Sequence, residues 1–286
     1  MTLHIEQNTC IKCGKCVKVC PSGIFTQSKA TEAVGLVNIE TCIGCGHCAD
    51  VCPTGSVRHS EFPIEKVHSI DYSQMPTPEQ TMLLLKARRS NRTLTSKPIP
   101  ADALDKILEA AHCAPTATNA QTVSFTLVTN PQELKRISDY TIRIFDGVAK
   151  MLLNPLAKFA LKPFLSSVYK YVPMFEDLKK AHVAGEDPIL RKATAVLFIH
   201  TPKSNRFGCE DSNLAYQNAS LMAESLGISQ VYMGFVLTAI KQDKKKELAK
   251  MFGIDGSIHA IMALGIPTFR YANYTDRKEI NCTNIK

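Results

Sequence analysis

Cys10-Ile11-Lys12-Cys13-Gly14-Lys15-Cys16-Val17-Lys18-Val19-Cys20-Pro21 returns 32 residues later as Cys42-Ile43-Gly44-Cys45-Gly46-His47-Cys48-Ala49-Asp50-Val51-Cys52-Pro53. The match extends outward to Thr9 and Thr41 on one side and to Gly23 and Gly55 on the other. Each copy is spaced Cys-x2-Cys-x2-Cys-x3-Cys-Pro. Three closely spaced thiolates can wrap one corner of an iron–sulfur cube, and a fourth ahead of proline turns away to ligate the other cluster of a pair. Soft thiolates suit this chemistry. The spacing therefore predicts two 4Fe–4S clusters, the first on Cys10, Cys13, Cys16 and Cys52, the second on Cys42, Cys45, Cys48 and Cys20. Zinc also takes paired Cys-x2-Cys units, but zinc motifs rarely repeat three cysteines at this spacing with a Cys-Pro. Gly14, Gly44 and Gly46 are expected to let the backbone pass close to the clusters, where N–H groups can tune them. His47, between two ligands, reads as a surface residue of the loop, with tuning of the cluster as the alternative.

Eight of the eleven cysteines lie in this repeat, and only Cys113, Cys209 and Cys282 lie beyond it. A chain of 286 residues can bury a core without covalent staples. The first residues, Met1-Thr2-Leu3-His4-Ile5-Glu6, show neither a basic start nor a long apolar run. No uninterrupted apolar stretch reaches the ~18 residues of a membrane span. The expectation is a cytoplasmic protein, away from the membrane, with reduced or metal-bound thiols.

The repeat makes a domain over residues 1–60, with clusters helping to fill a core that is poor in large apolar side chains. Residues 61–79, with Pro63, Pro76 and Pro78, read as a linker. A second domain is expected over 80–286. Thr81 to Arg89 reads as a helix. Pro100 starts another, with Leu104, Ile107, Leu108 and Ala111 on one face. Asp211 to Leu226 reads as a third, with Leu214, Asn218, Leu221, Met222 and Ser225 sharing a face and Gly227 as cap. Val123 to Thr129, Ala195 to His200, Val231 to Val236 and His259 to Gly265 read as strands. Without a regular βαβ rhythm, the class is α+β.

A cluster domain joined to a second domain needs an electron partner there. No Gly-x-Gly-x-x-Gly follows a predicted strand, which argues against a Rossmann nicotinamide site. A flavin can take single electrons and pass on a pair. Arg88-Arg89-Ser90-Asn91-Arg92 gathers three guanidinium groups and a hydroxyl that could clamp a phosphate. Ala114 to Gln121 is a polar, proline-broken loop, and loops of this kind often carry ligand contacts. Asn218 lies in a helix expected to be otherwise buried, ahead of Gly227-Ile228-Ser229-Gln230-Val231-Tyr232-Met233-Gly234.

Residues 1–60 resemble the bacterial two-cluster ferredoxins. Residues 80–286 resemble the FMN-dependent nitroreductase family, so that the whole looks like a ferredoxin–nitroreductase fusion of anaerobic microbes. Arg88, Ser90 and Arg92 match that family's Arg-x-Ser-x-Arg/Lys. Ala114, Pro115, Asn119 and Gln121 match its second pattern, with Thr116 replacing Ser and Thr122-Val123 standing where Pro-Trp is usual. Gly227 opens its third pattern, with Ser229 replacing the second glycine. Gly265, Pro267, Arg277 and Lys278 correspond to a closing Gly-x-Pro segment and basic pair.

The resemblance implies a nitroreductase-like α+β sandwich in a homodimer with FMN at the interface. Arg88, Ser90, Arg92 and Arg277 would hold the phosphate and ribityl chain, with Arg89 near the ring edge. Pro115, Thr116, Asn119 and Gln121 form the matching loop, of which Thr116 and Asn119 would contact the flavin from the partner subunit. Met233 and Gly234 would place backbone beside the reactive edge. The activity implied is reduction of a small planar, electron-poor acceptor, with a ferredoxin or NAD(P)H as donor. The rivals are a non-enzymatic electron carrier or redox sensor, and a dehalogenase or flavin-fragmenting relative on the same scaffold. No side chain is assigned as the catalytic acid.

The net charge of +8 does not indicate nucleic acid. Two clusters would bring roughly −4 and a flavin phosphate roughly −2, and no basic run is interleaved with aromatics. Residues 144–175, apolar with Lys150, Lys158, Lys162 and Lys170 and divided by Pro155, Pro163 and Pro173, read as a lid over the flavin, with a membrane-surface or quinone dock as the alternative. Asp211 reads as a helix N-cap, His200 and His259 as core histidines, and Cys113 and Cys209 as small buried thiols.

Overall fold

The computed structural model describes residues 1–161 and 169–285. By contacts the chain divides into two units: Met1–Pro76 with Thr116–Gln121, and Thr77–Pro115 with Thr122–Lys286.

The first unit repeats one small device. Strand β1 (Leu3–Ile5) is followed by helix α1 (Lys15–Val19) and the hairpin of β2 (Phe25–Thr26) with β3 (Gly35–Leu36). Helix α2 (His47–Asp50) follows, and β4 (Val57–His59) returns antiparallel to β1. Both helices start from a left-handed glycine, Gly14 at φ 67° and Gly46 at φ 76°. A side chain there would be strained, so the glycine turn is what allows each third cysteine to open a helix. Leu3, Ile24, Phe25, Val34, Cys48 and Val57 form the core, with Cys10, Cys16, Cys20, Cys42 and Cys52 packed against it. Short 3-10 turns at Ile64–Lys66 and Tyr72–Gln74 occupy the segment expected to be a plain linker.

In the second unit, α3 (Pro78–Ala87) begins earlier than the sequence suggests because Thr77 and Gln80 form a reciprocal capping box, with Pro78 preset for the first turn. Next come α4 (Ala101–His112), β5 (Ser124–Val128), α5 (Pro131–Leu153) and α6 (Pro155–Leu161). They are followed by α7 (Val172–Val183), β6 (Ala195–Thr201), α8 (Gly208–Ser225) and β7 (Ser229–Tyr232). The last elements are α9 (Gly234–Gln242), α10 (Glu247–Met251) and β8 (Ser257–Gly265). The strands form an antiparallel sheet in the order β5-β6-β8-β7.

Strand alternation feeds two cores. Val196, Phe198, Ile261 and Ala263 face α5 and α9 through Ile137, Tyr140, Phe145, Val236 and Ala239. Ala195, Leu197, Ile199, Ala260, Met262 and Leu264 face α4 and α8 through Leu104, Ile107, Ala215, Ala219 and Ala223. With most large side chains of the central strands buried on one face or the other, the sheet is sandwiched between helices, in keeping with the expected α+β sandwich.

Several local expectations need correction. The predicted strand from Val231 to Val236 stops at Tyr232, and Gly234 opens α9. The buried face of α8 is Asp211, Ser212, Ala215, Tyr216, Ala219, Ser220 and Ala223, while Leu214 of the expected face is 46% exposed. Small residues let the helix lie close to the sheet, so size rather than hydrophobicity selects the inner face. Asp211 is not the N-cap, which is Phe207; it lies one turn inside the helix, buried, and accepts a hydrogen bond from Asn205 Nδ2 at 3.1 Å. Cys113 and Cys209 are exposed rather than buried. His200 and His259 are half-buried at the strand ends, where their Nε2 atoms meet the hydroxyls of Thr126 and Thr201 at 3.1 and 3.0 Å.

One buried polar group ties α5 to the turn after α9. Tyr140 Oη donates to Asp243 Oδ2 at 3.0 Å, and Asp243 also accepts from the N–H groups of Lys245 and Glu247 at 2.9 and 2.6 Å. Burial alone would raise the Asp243 carboxyl, but these donors outweigh it and hold it below the usual carboxylate range. A depressed folded value means the contribution is complete above the unfolded value near pH ~4 and is lost as pH falls below it. Accordingly, Asp243→Asn is expected to be destabilising at neutral pH, and its deficit against the parent should shrink in urea melts taken progressively below about pH 4. A deficit independent of pH would contradict this. Tyr140→Phe should cost about 1 kcal/mol in the same melts.

Candidate functional site

Several of the repeat's cysteines lie near one another in the first unit, though among the described residues no three are arranged to hold a metal ion. One small cavity is lined by Cys20, Cys42, Cys45 and Cys48 together, the fourth cysteine of the first motif with the first three of the second. Burial pushes the Cys48 thiol up to about 11, and the neighbouring Cys45 and Cys42 push the same way. Burial likewise raises Cys16, with Cys52 and Cys10 adding to it. Cys16, Cys10 and Cys52 are thus close enough to interact, and they belong to the other predicted set. Cys13 is exposed in the loop between them. Backbone donors surround the sulfurs in a repeated way: Ile24 N donates to Cys20 Sγ at 3.4 Å and, 32 residues on, Ser56 N donates to Cys52 Sγ at 3.2 Å. Gly44 N donates to Cys42 Sγ at 3.4 Å. At Cys52 burial acts to raise the thiol, but these hydrogen bonds win and hold it below its ordinary value. Converging thiols, a soft donor set and N–H groups aimed at sulfur fit two 4Fe–4S clusters. His47 is exposed, as its bland reading anticipates.

In the second unit a cavity of about 870 Å³ is lined by Arg92 and by Tyr232, Met233, Gly234, Phe235, Thr238 and Gln242 from the β7–α9 segment. Phe145, Val148, Met151 and Leu152 of α5 and Tyr171, Met174 and Phe175 around α7 form apolar walls. These seven residues belong to the segment expected to be a lid; residues 162–168 of that segment, with Lys162 and Pro163, lie outside the described residues.

A parallel bridge between Ser90 and Gln230 lays the Arg88–Arg92 segment beside β7, which leads into Met233 and Gly234. Asn91 Nδ2 donates to Phe269 O at 2.9 Å and Thr95 N donates to Ile266 O at 2.8 Å, fixing the same segment against the exit of β8. Two motifs about 140 residues apart in the chain thus meet at one cavity wall. Arg92 is exposed and Arg88 half-buried, near enough to Tyr216 for its charge to oppose the strong upward push of burial on that phenol. Arg89 turns its guanidinium to the carbonyls of Lys86 and Arg88. A Cβ built on Gly234 would meet nothing within 4 Å, so open space lies in front of it.

Thr116, Asn119 and Gln121 are not among the residues lining this cavity; their segment groups with the first unit. Asn119 Nδ2 donates to Ile43 O at 3.1 Å and to Gly44 O at 2.7 Å, inside the loop of the second cysteine motif. Thr118, Asn119 and Gln121 take left-handed backbone at φ 54°, 55° and 48°. Such conformations in residues other than glycine cost energy and cluster at functional sites. Thr116 Oγ1 accepts from Gln121 N at 3.0 Å and closes the loop, while Pro115 is exposed just before it. Arg277 is exposed in the C-terminal segment and does not line the cavity. Nothing in the sequence signals Arg191, in a left-handed turn on the cavity wall, or Thr238 and Gln242.

Comparison with known proteins finds two families along the chain. The model of the 4Fe-4S dicluster domain matches residues 9–56, and that of the nitroreductase family matches residues 85–266. A protein of Methanothermobacter thermautotrophicus, provisionally named NADH dehydrogenase/NAD(P)H nitroreductase, is 25% identical over 64% of this chain and 75% of its own length. The FMN reductase [NAD(P)H] of Bacillus subtilis is 27% identical over 53% of each chain. A Bacteroides fragilis nitroreductase with bound FMN superposes with a TM-score of 0.53 at 20% identity, over 72% of this chain and 97% of that one. A Desulfitobacterium hafniense nitroreductase with bound FMN gives 0.54 at 18%, over 71% and 98%. With its family match spanning well over half the residues, this chain belongs to the nitroreductase family and carries a 4Fe–4S dicluster domain ahead of that fold.

Proposed function

We propose that this chain is an iron–sulfur flavoprotein oxidoreductase that passes electrons between its two clusters and FMN to reduce a planar, electron-poor acceptor such as a nitroaromatic or a quinone. The observation that supports this most is the cavity beside Arg92, Met233 and Gly234 in a chain that also carries a 4Fe–4S dicluster domain. Bound FMN supplies a ring that exchanges electrons singly or in pairs.

The chain's own residues bind and orient that group. Arg88, Ser90 and Arg92 offer charge and hydrogen bonds to its phosphate end, with Arg89 beside them. Met233 and Gly234 bring bare backbone to the ring, and the aromatic walls from α5 and α7 keep water from the acceptor's side. Tyr232 Oη, hydrogen-bonded to Asn213 Oδ1 at 3.2 Å, holds a proton at the cavity edge. Burial raises this phenol and so keeps it protonated at neutral pH. Thr116, Asn119, Gln121 and Arg277 would complete the site in a homodimer. The exposed Leu214 and half-buried Leu221 and Met222 of α8 offer a surface for a second copy. The donor is a ferredoxin or NAD(P)H, and the compartment cytoplasmic.

A second reading, an electron carrier or redox sensor, draws on the engagement of Asn119 with the cluster loop and on Arg277 not lining the cavity. Rapid mixing of the anaerobically reduced protein with a nitroaromatic decides between them. Cluster and flavin absorption recovering together, with loss of the nitro group, supports the reductase. Recovery of neither leaves the carrier.

A further inference from the structure

The two halves of the cluster domain are alike in their cysteines but not around them. His59 is 3% exposed at the end of β4, and its Nε2 lies 3.6 Å from Cys42 Sγ. Its other ring nitrogen, Nδ1, accepts the backbone N–H of Glu61 at 3.2 Å. An accepting Nδ1 carries no proton, so in the neutral ring the proton sits on Nε2 and points at the sulfur. Phe62 packs on the ring at 4.9 Å between centroids and holds it there. The position 32 residues earlier, which the internal repeat makes equivalent, is Gln27. Gln27 spends its Nε2 on the carbonyls of Lys12 and Glu32 at 2.9 and 2.8 Å rather than on a thiolate. On the first set, Thr54 Oγ1 reaches Cys52 Sγ at 3.7 Å on an exposed side, and it also meets Ser56 Oγ at 2.6 Å.

We propose that His59 is a positioning residue for the second cluster: its Nε2–H hydrogen bond to the Cys42 thiolate sets that cluster at a higher reduction potential than the first. A cluster gains one negative charge on reduction, with no bond made or broken, so a donor to its sulfur stabilises the reduced state more than the oxidised one. In a buried site the effect is poorly screened. The repeat thereby holds two unequal centres, and an electron entering at either comes to rest on the second. This inference does not depend on the acceptor or on FMN.

The test is an EPR-monitored potentiometric titration of the full-length, anaerobically purified protein with iron counted. His59→Leu is expected to keep its iron and to lower the potential of one cluster by about 59 mV, a tenfold change in a one-electron equilibrium, while the other moves much less. His59→Gln, which restores an N–H donor, should recover most of the shift. Unmoved potentials, equal shifts in both clusters, or a Gln variant as low as Leu would overturn the proposal. Iron loss in both variants would also overturn it, since the residue would then be needed to retain the cluster rather than to tune it.

Discussion

Cys52→Ser is expected to remove the first cluster and spare the second, although Cys52 lies in the second motif. Anaerobically purified protein should fall from roughly eight irons to about four. The reason is geometric: Cys16 interacts with Cys10 and Cys52, whereas Cys20 lines the cavity of Cys42, Cys45 and Cys48. Pairs of substitutions make the crossing visible. Cys13→Ser combined with Cys52→Ser should cost little more iron than either alone, because both strike one cluster. Cys13→Ser with Cys20→Ser should lose nearly all the iron, because each strikes a different one. The reverse pattern would show that each motif holds its own cluster. Because the small core includes cluster ligands, the doubly stripped protein is also expected to lose the cooperative unfolding of this domain.

Gly234→Val should abolish flavin binding while leaving fold and clusters intact. The glycine is exposed at the first position of α9, and an added Cβ would meet no protein atom within 4 Å. Its φ is outside the left-handed range, so a β-branched residue strains nothing and even gains roughly a few tenths of a kcal/mol of helix propensity over glycine. The new methyls would instead project into the cavity beside Met233 and Arg92. Loss of one close approach to a planar ring typically costs more than tenfold in affinity, and displacement of the ring costs far more. The expected observation is unchanged iron content and helicity, with flavin content falling to near zero. A variant that binds FMN normally would place the ring elsewhere. Arg92→Ala should weaken flavin retention more mildly, since Arg88 and Ser90 remain.

The 4Fe–4S dicluster domain was legible in the sequence because ligation demands fixed residue types at fixed spacing, and the repeat doubled the signal. The α+β class and most elements were legible through apolar periodicity, as in β6 and α4. The failures have physical causes. On α8 the residues that pack inward are alanines and serines, so a search for large apolar side chains selected the outward face around Leu214. At Met233 the chain turns from strand to helix without a break in hydrophobicity, and the predicted strand ran on. His59 was not identified because it follows the repeat by several residues, and only the pairing of β4 with β1 brings it to Cys42. The 116–121 loop was recognised as special, but its left-handed backbone and its hold on Ile43 and Gly44 depend on contacts far away in sequence.

The central claim is that one chain joins two clusters to a flavin. It is tested most directly by counting iron, sulfide and FMN in the full-length protein purified without oxygen. The account predicts about eight irons, about eight sulfides and one FMN per chain. About eight irons with no flavin, and none taken up on incubation with FMN, would contradict it.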